Sequence, residues 1–351
     1  MKTLTLVVIA RNEARCITRC LNSFGDHVDH MLVLDTGSTD DTVALAQAAG
    51  AEVQHFTWCD DFAAARNAAL QAAAARWHLV VDADEWLGSG AEALAAWQLR
   101  EPQHCGVVTV RSTVESPDGS GVVSASLLRL LPGSVRYRGR IHEQPETRLP
   151  NVATGLTLMH DGYAAAQVKA KKMRNERLLR LALAERPEDP YLLFQLGVQL
   201  ALGGAHTDAA AAYSQALQRL APGASYRGEL VRRLLITLQA LREWTVAAQL
   251  LEAELTTYGR SAYFMLTAGN VFWNWAQEKP DAAAMLLPLA EDAWQRSLQL
   301  SRTAGPLQGP YLEQTGERAA LSLMELYRRG AAATGATRMA TPTATAATAA
   351  A

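Results

Sequence analysis

The residues with the clearest chemistry follow the apolar run Leu79-Val80-Val81, which ends in Asp82-Ala83-Asp84-Glu85. Two carboxylates one small residue apart, at the end of a short buried strand, gather negative charge where no apolar neighbour can neutralise it. A hard divalent cation meets that demand. Mn²⁺ and Mg²⁺ prefer oxygen ligands and often take one or two protein carboxylates, leaving the other positions to phosphate oxygens and water. The competing reading is local: Asp82 and Asp84 cap a helix expected over residues 89–99, or close a turn. An Asp-x-Asp pair alone does not decide between the two.

Other groups fall at comparable places. Asp35 ends the run His30-Met31-Leu32-Val33-Leu34; as an acceptor-only carboxylate it suits a uracil imide or ribose hydroxyls, or else caps the next helix. Arg66 follows Asp60-Asp61-Phe62, and its planar fork suits a diphosphate or a surface pair with either aspartate. His142-Glu143 and His160 supply a carboxylate able to take a proton from an acceptor hydroxyl and an imidazole able to complete a metal site. Each has a structural alternative, a satisfied histidine or a solvated glutamate.

The elements that would hold these groups alternate. Strands are expected at 4–10, 30–35, 52–58 and 79–81, and helices at 12–24, 42–49 and 61–76. Strand and helix in turn indicate a parallel α/β sheet, whose strand ends form the ligand-binding edge. Further strands are expected at 105–114, 122–131, 136–141 and 156–160, with Pro117-Asp118-Gly119 as a turn and Asp161-Gly162-Tyr163 closing the last.

From residue 168 the pattern turns helical and remains so to about residue 329. Leu193, Leu196, Gly197, Leu200, Ala209, Tyr213, Ala216 and Pro222, counted from Pro190, fall near the small and large positions of a helix-turn-helix repeat of about 34 residues. Weaker copies are expected over 235–253 and 269–300; an irregular bundle is the alternative. The expected organisation is therefore an α/β domain over 1–165, a helical domain over 166–330, and an unstructured Ala/Thr tail over 331–351.

With 49% hydrophobic residues the 351-residue chain can bury sizeable cores, and a formal charge of -2 gives no basic stripe for nucleic acid. The opening residues lack a signal-peptide pattern, and no apolar run approaches the ~20 residues of a membrane span. A cytoplasmic protein is expected. Cys16, Cys20, Cys59 and Cys105 form no C-x-x-C pair and no zinc spacing with histidine, so they are expected to be reduced packing residues.

Four stretches carry a resemblance: Val-Val-Ile-Ala-Arg-Asn-Glu at 7–13, Val-Leu-Asp-Thr-Gly-Ser-Thr-Asp-Asp-Thr at 33–42, Phe-Thr-Trp-Cys-Asp-Asp-Phe-Ala-Ala-Ala-Arg-Asn at 56–67, and Val-Asp-Ala-Asp-Glu at 81–85. Together they resemble family 2 glycosyltransferases of the GT-A fold. Arg-Gly-Arg-Ile-His-Glu at 138–143, His-Asp-Gly-Tyr at 160–163 and the helices beyond are similar to a bacterial subgroup with a tetratricopeptide-like C-terminal region.

The resemblance implies an inverting hexosyltransferase that uses a nucleotide-sugar donor, commonly a UDP-sugar, with Mn²⁺ or Mg²⁺. It implies that Ala10, Asn12, Glu13, Asp35, Gly37, Ser38, Arg66, Asp82 and Ala83 line the nucleotide-sugar site. Arg66 would help to hold the diphosphate, Asp84 and His160 would be metal ligands, and Glu143 the general base. A peptide, glycan or lipid-linked acceptor, reached through the helical repeats, would complete the reaction; pairing of two copies stays open. The rival from another class is a peptide-binding scaffold on a degenerate nucleotide-sugar fold. A nucleotidyltransferase is disfavoured, because Arg11-Asn12-Glu13 lacks the glycines of a triphosphate loop.

Overall fold

Parallel strands covered on both faces by helices must be apolar on both sides, and the first strands are built that way. β1 (Leu4–Ala10), β2 (His30–Asp35) and β4 (Trp77–Asp82) are almost wholly buried. In this computed structural model residues 3–116, 119–160, 165–221, 223–303 and 312–339 are described. The chain divides into two units, Met1–Pro187 and Glu188–Ala351.

In the first unit, β1 lies between β2 and β4, parallel to both, and β3 (Glu52–His55) extends the row. Ala10 sits beside Asp35, Ile9 beside Asp82 and Asp35 beside His55, so these strands all end on one edge. Helices α1 (Ile17–Phe24), α2 (Thr42–Ala48) and α4 (Glu92–Gln98) pack on one face with Leu6, Val8, Val33 and Val81. Helix α3 (Phe62–Ala73) packs its alanines on the other, against Val7, Leu34 and Val80.

The full sheet is mixed, in the order β3-β2-β1-β4-β7-β6-β10-β5, with β5 (Glu85–Ser89), β6 (Cys105–Ser116), β7 (Gly119–Pro132) and β10 (Asn151–His160). β7 runs against β4 and β6 against β7, while β10 is parallel to β6 and β5 antiparallel to β10. β10 therefore ends on the same edge as β4, and His160 pairs with Glu85. The sheet has to curl to allow this. From Asp82 to Glu85 the chain makes three Cα steps, at most about 11 Å, whereas the four strand spacings between β4 and β5 in a flat sheet would be about 19 Å. A small two-stranded sheet, β8 (Arg136–Arg138) with β9 (Gln144–Glu146), and the helix α5 (Ala165–Glu185) complete the unit.

Several local expectations shift. The helix expected from residue 12 begins at Ile17, because Asn12 is held at φ 56° by tertiary hydrogen bonds. The strand over 52–58 stops at His55, and the one at 156–160 reaches back to Asn151. Residues 85–89 form β5 and only Glu92–Gln98 is helical. Pro117, Asp118 and Asp161-Gly162-Tyr163 lie outside the described residues.

The second unit is helical: α6 (Pro190–Leu202), α7 (His206–Arg219), α8 (Arg227–Ala240), α9 (Trp244–Tyr258), α10 (Ala262–Glu278), α11 (Ala283–Ser301) and α12 (Leu312–Met339). Close helix packing requires glycine at two of the small positions. A Cβ at Gly197 would lie 2.5 Å from the Tyr213 ring, and one at Gly269 2.4 Å from Trp294. Pro222 and residues 340–351 lie outside the described residues, while α12 runs on to Met339. Among the described residues no helix is long and apolar enough to cross a membrane.

Candidate active site

The edge where β1 and β2 end is organised by a loop that satisfies its own polar groups. Asp35, 4% exposed, accepts hydrogen bonds from the Gly37 and Ser38 amides at 3.1 Å, and His55 Nδ1 stands 3.4 Å from its Oδ2. Burial would raise its pKa, but these hydrogen bonds outweigh that and lower it. Gly37 has φ 103°, a backbone shape that suits glycine. The Asn12 amide donates to Ser38 Oγ and the Thr39 amide to Asn12 Oδ1, while the Glu13 amide donates to Thr42 Oγ1 at 2.7 Å. Ala10 is buried and its carbonyl accepts the Thr36 amide. Ala10, Asn12, Glu13, Asp35, Gly37 and Ser38 thus meet in one loop cluster.

Beside it runs a belt of alternating charge. Arg66 donates through Nη2 to Asp82 Oδ1 at 2.7 Å and through Nε to Glu143 Oε1. Arg129 donates through Nη2 to Asp82 Oδ2 at 2.7 Å and to Glu85 Oε1 at 3.1 Å, and the Asp82 amide donates to Glu85 Oε2. Burial disfavours the charged form of Asp82, but Arg129 and Arg66 together hold its carboxyl far below the usual range. Burial pushes Glu85 the other way, up to about 7, against the pull of Arg129. Both arginines are buried, which would lower their pKa, yet the carboxylates raise it further. Among the described residues the buried Arg66 Nη1 has no hydrogen-bond partner, an arrangement that costs stability unless something completes it.

Local structure explains why Glu143 reaches Arg66. Asp61 caps α3 by accepting the Ala64 amide, and the Phe62 amide donates to the Arg140 carbonyl. Asn67 then clamps the Tyr137 backbone, donating from Nδ2 and accepting at Oδ1. The loop after β8 is thereby fastened to the start of α3, with Gly139 at φ 103° and His142 at φ 51° turning it inward. His142 itself is kept below its ordinary pKa by burial. Asp60 pairs with Arg177 of α5, so Arg66 pairs with neither neighbouring aspartate.

At the far end of the belt His160 Nε2 lies 3.4 Å from Asp84 Oδ2, and His160 Nδ1 lies 3.1 Å from Ser112 Oγ. The contact with Asp84 raises the His160 pKa. Ala83, between the two aspartates, is buried in the core. Among the described residues no group of three or more His, Cys, Asp or Glu side chains forms a metal cluster. Two donors suit a cation that takes its remaining ligands from a diphosphate, and a ligating imidazole is usually oriented by a hydrogen bond at its other ring nitrogen, the place Ser112 Oγ takes here.

The sequence pattern gives Glu85 no role beyond its place in Val-Asp-Ala-Asp-Glu and does not mark Arg129. The signal was there, as one arginine within Leu127-Leu128-Arg129-Leu130-Leu131. Of the cysteines, Cys16, Cys20 and Cys105 are buried and Cys59 is exposed; all four are free thiols. Two hollows lie elsewhere: one of about 400 Å³ beside Ala74 and Gly133, and one of about 470 Å³ in the second unit between Trp244 and Trp275.

The model of glycosyl transferase family 2 matches residues 5–129. A TPR repeat-containing protein of Synechococcus elongatus is 34% identical over 255 residues, which are 67% of this chain and 61% of that protein. The SPbeta prophage-derived glycosyltransferase SunS of Bacillus subtilis is 32% identical over 209 residues, 57% of this chain and 50% of that protein. The chain thus spans between half and two thirds of the length of these relatives. A crystal structure of glucosyl-3-phosphoglycerate synthase from Mycobacterium tuberculosis with Mg²⁺ and UDP is 26% identical over 32% of this chain and 43% of that one, with a TM-score of 0.27.

Proposed function

Starting from a chain that belongs to glycosyl transferase family 2 through its N-terminal domain, we propose that it transfers a sugar from a nucleotide-sugar, a UDP-sugar in this reading, to a peptide, glycan or lipid-linked acceptor with inversion at the anomeric carbon. The observation that carries the proposal is the bridge from Asp82 through Arg66 to Glu143. It ties the paired-acid motif to a carboxylate far away in sequence, as a donor site and a base acting on one reaction centre would have to be tied.

In this reading the loop cluster of Ala10, Asn12, Glu13, Gly37 and Ser38 forms the wall for the nucleotide, and Asp35 accepts from the base imide or a ribose hydroxyl. Asp84 and His160 would hold Mn²⁺ or Mg²⁺, which would supply countercharge for the departing diphosphate. Arg66 adds a buried positive charge close by and, because its Nε is bonded to Glu143, fixes where that carboxylate stands. Arg129 keeps Asp82 and Glu85 from repelling each other.

Glu143 takes the proton of the acceptor hydroxyl or thiol as that atom bonds to the anomeric carbon and the bond to the diphosphate breaks, releasing the nucleotide. One base without a second carboxylate nucleophile suits a single displacement. The leaving group departs without a proton, unlike that of a glycosidase. Acceptor choice is assigned to the helical unit.

The test is a panel of nucleotide sugars assayed for Mn²⁺-dependent nucleotide release, with Asp84→Ala alongside. UDP bound equally well with and without metal, and unaffected by Asp84→Ala, would leave the scaffold reading in its place.

A further inference from the structure

Among the described residues, α12 leaves large apolar side chains of its outer face uncovered. Its inner face is satisfied: Ala319 and Leu323 are buried with Ala290 and Trp294 of α11. On the outer face Leu321 is 64% and Met324 66% exposed, whereas the half-exposed Tyr327 is held by α11, donating to Glu291 and accepting from Gln295. Residues 317, 321, 324 and 328, in the order Glu, Leu, Met and Arg, recur at the spacing that forms one stripe along a helix, and all four are exposed.

The order of these residues points to the occupant. Two copies of α12 laid antiparallel about a two-fold axis between residues 322 and 323 place Leu321 against the partner's Met324, and Glu317 against the partner's Arg328. On one flank Arg318 meets the partner's Glu325, and on the other the position opposite Tyr327 is the small Ala320. Apolar meets apolar and acid meets base at every position, twice over by symmetry. A parallel pairing would set Glu317 on its own equivalent and Arg328 on its own, like charge on like. Among the described residues Glu317 has no ion-pair partner, while Arg328 is shared with Glu325 of its own helix.

We propose that the outer face of α12 is a self-complementary interface through which two copies of this chain associate as antiparallel helices. A seam one helix wide belongs to the small end of specific interfaces, so the dimer is expected in the micromolar range.

The test is sedimentation equilibrium of the full chain up to about 200 µM, a range that covers such affinities. The wild type should pass from monomer to dimer. Glu317→Arg or Arg328→Glu alone should raise the dissociation constant about tenfold, since each change acts at two symmetric sites. The two together should restore it to within about threefold. Leu321→Glu with Met324→Glu should leave a monomer whose helical circular dichroism matches the wild type, which separates loss of the seam from loss of fold. A wild-type monomer throughout the range, a dimer indifferent to the apolar pair, or a double charge swap that fails to restore association would each overturn the proposal.

Discussion

Arg129→Met keeps most of the stem and removes the charge, so its effect can be worked out partner by partner. The side chain is 10% exposed and bonds Asp82 and Glu85. Asp82 retains Arg66 at 2.7 Å and is 37% exposed, so water and the second arginine hold its loss to about 1 kcal/mol. Glu85 is 4% exposed, and among the described residues no other cation lies within ion-pair distance of it. A buried carboxylate stripped of its partner costs about 3–5 kcal/mol if it stays charged. Glu85 can escape much of that by taking a proton, the direction in which burial already pushes it, leaving about 1–2 kcal/mol for the lost hydrogen bond. The expected total is about 2–3 kcal/mol, confined to the first unit. Native-state hydrogen exchange of the β4 and β7 amides, followed by mass spectrometry, reads it locally. Adding Glu85→Gln to Arg129→Met should recover part of the loss. A change below about 0.5 kcal/mol, or a double variant less stable than the single, would refute the view that Arg129 neutralises two acids at once.

Two further outcomes follow from the same geometry. Glu143→Gln should lower the rate of transfer by about 10²–10⁴ while leaving UDP affinity unchanged; equal losses in both, from initial rates and calorimetry, would remove Glu143 from the chemistry. His78 is 1% exposed and burial, with a smaller push from Arg136, holds its pKa at about 4 against an ordinary 6.5. A lowered folded-state value means that the unfolded chain binds the proton first as pH falls. Stability of the first unit is therefore full above about 6.5 and drops by about 3 kcal/mol on the way to pH 4. His78→Leu should flatten that slope in unfolding measured between pH 4 and 7, and an unchanged slope would assign it to other groups.

How much of this was legible in the sequence depended on whether the determining contacts were local. β1, β2 and β4 could be read because strands buried on both faces are continuous apolar runs. β5 could not: Glu85-Trp86-Leu87-Gly88-Ser89 has no alternation and is a strand only because β10 pairs with it. The late start of α1 follows from Ser38 and Thr39 holding Asn12, residues more than twenty positions away. Arg66 looked like the partner of Asp60 or Asp61 by proximity, yet Asp61 was needed as the cap of α3 and Asp60 went to Arg177. Its true partners, Asp82 and Glu143, are near it only in the folded chain.

The curl of the sheet is what brings these parts together. Asp82 ends β4 and Asp84 lies in the turn before β5, while His160 belongs to the end of a strand that a flat sheet would carry well away from β4. Because only Ala83 and Asp84 separate β4 from β5, the two ends of the sheet are drawn together, and β5 delivers Glu85 beside His160 through its pairing with β10. The shortness of that link therefore has a structural cost, since it bends eight strands, and a chemical consequence, since it sets Asp84 within 3.4 Å of His160. A longer link would relax the sheet and separate the two candidate ligands while leaving each of them intact in the sequence. The Asp-x-Asp pair thus owes its proposed function less to its own spacing than to the strand that begins immediately after it.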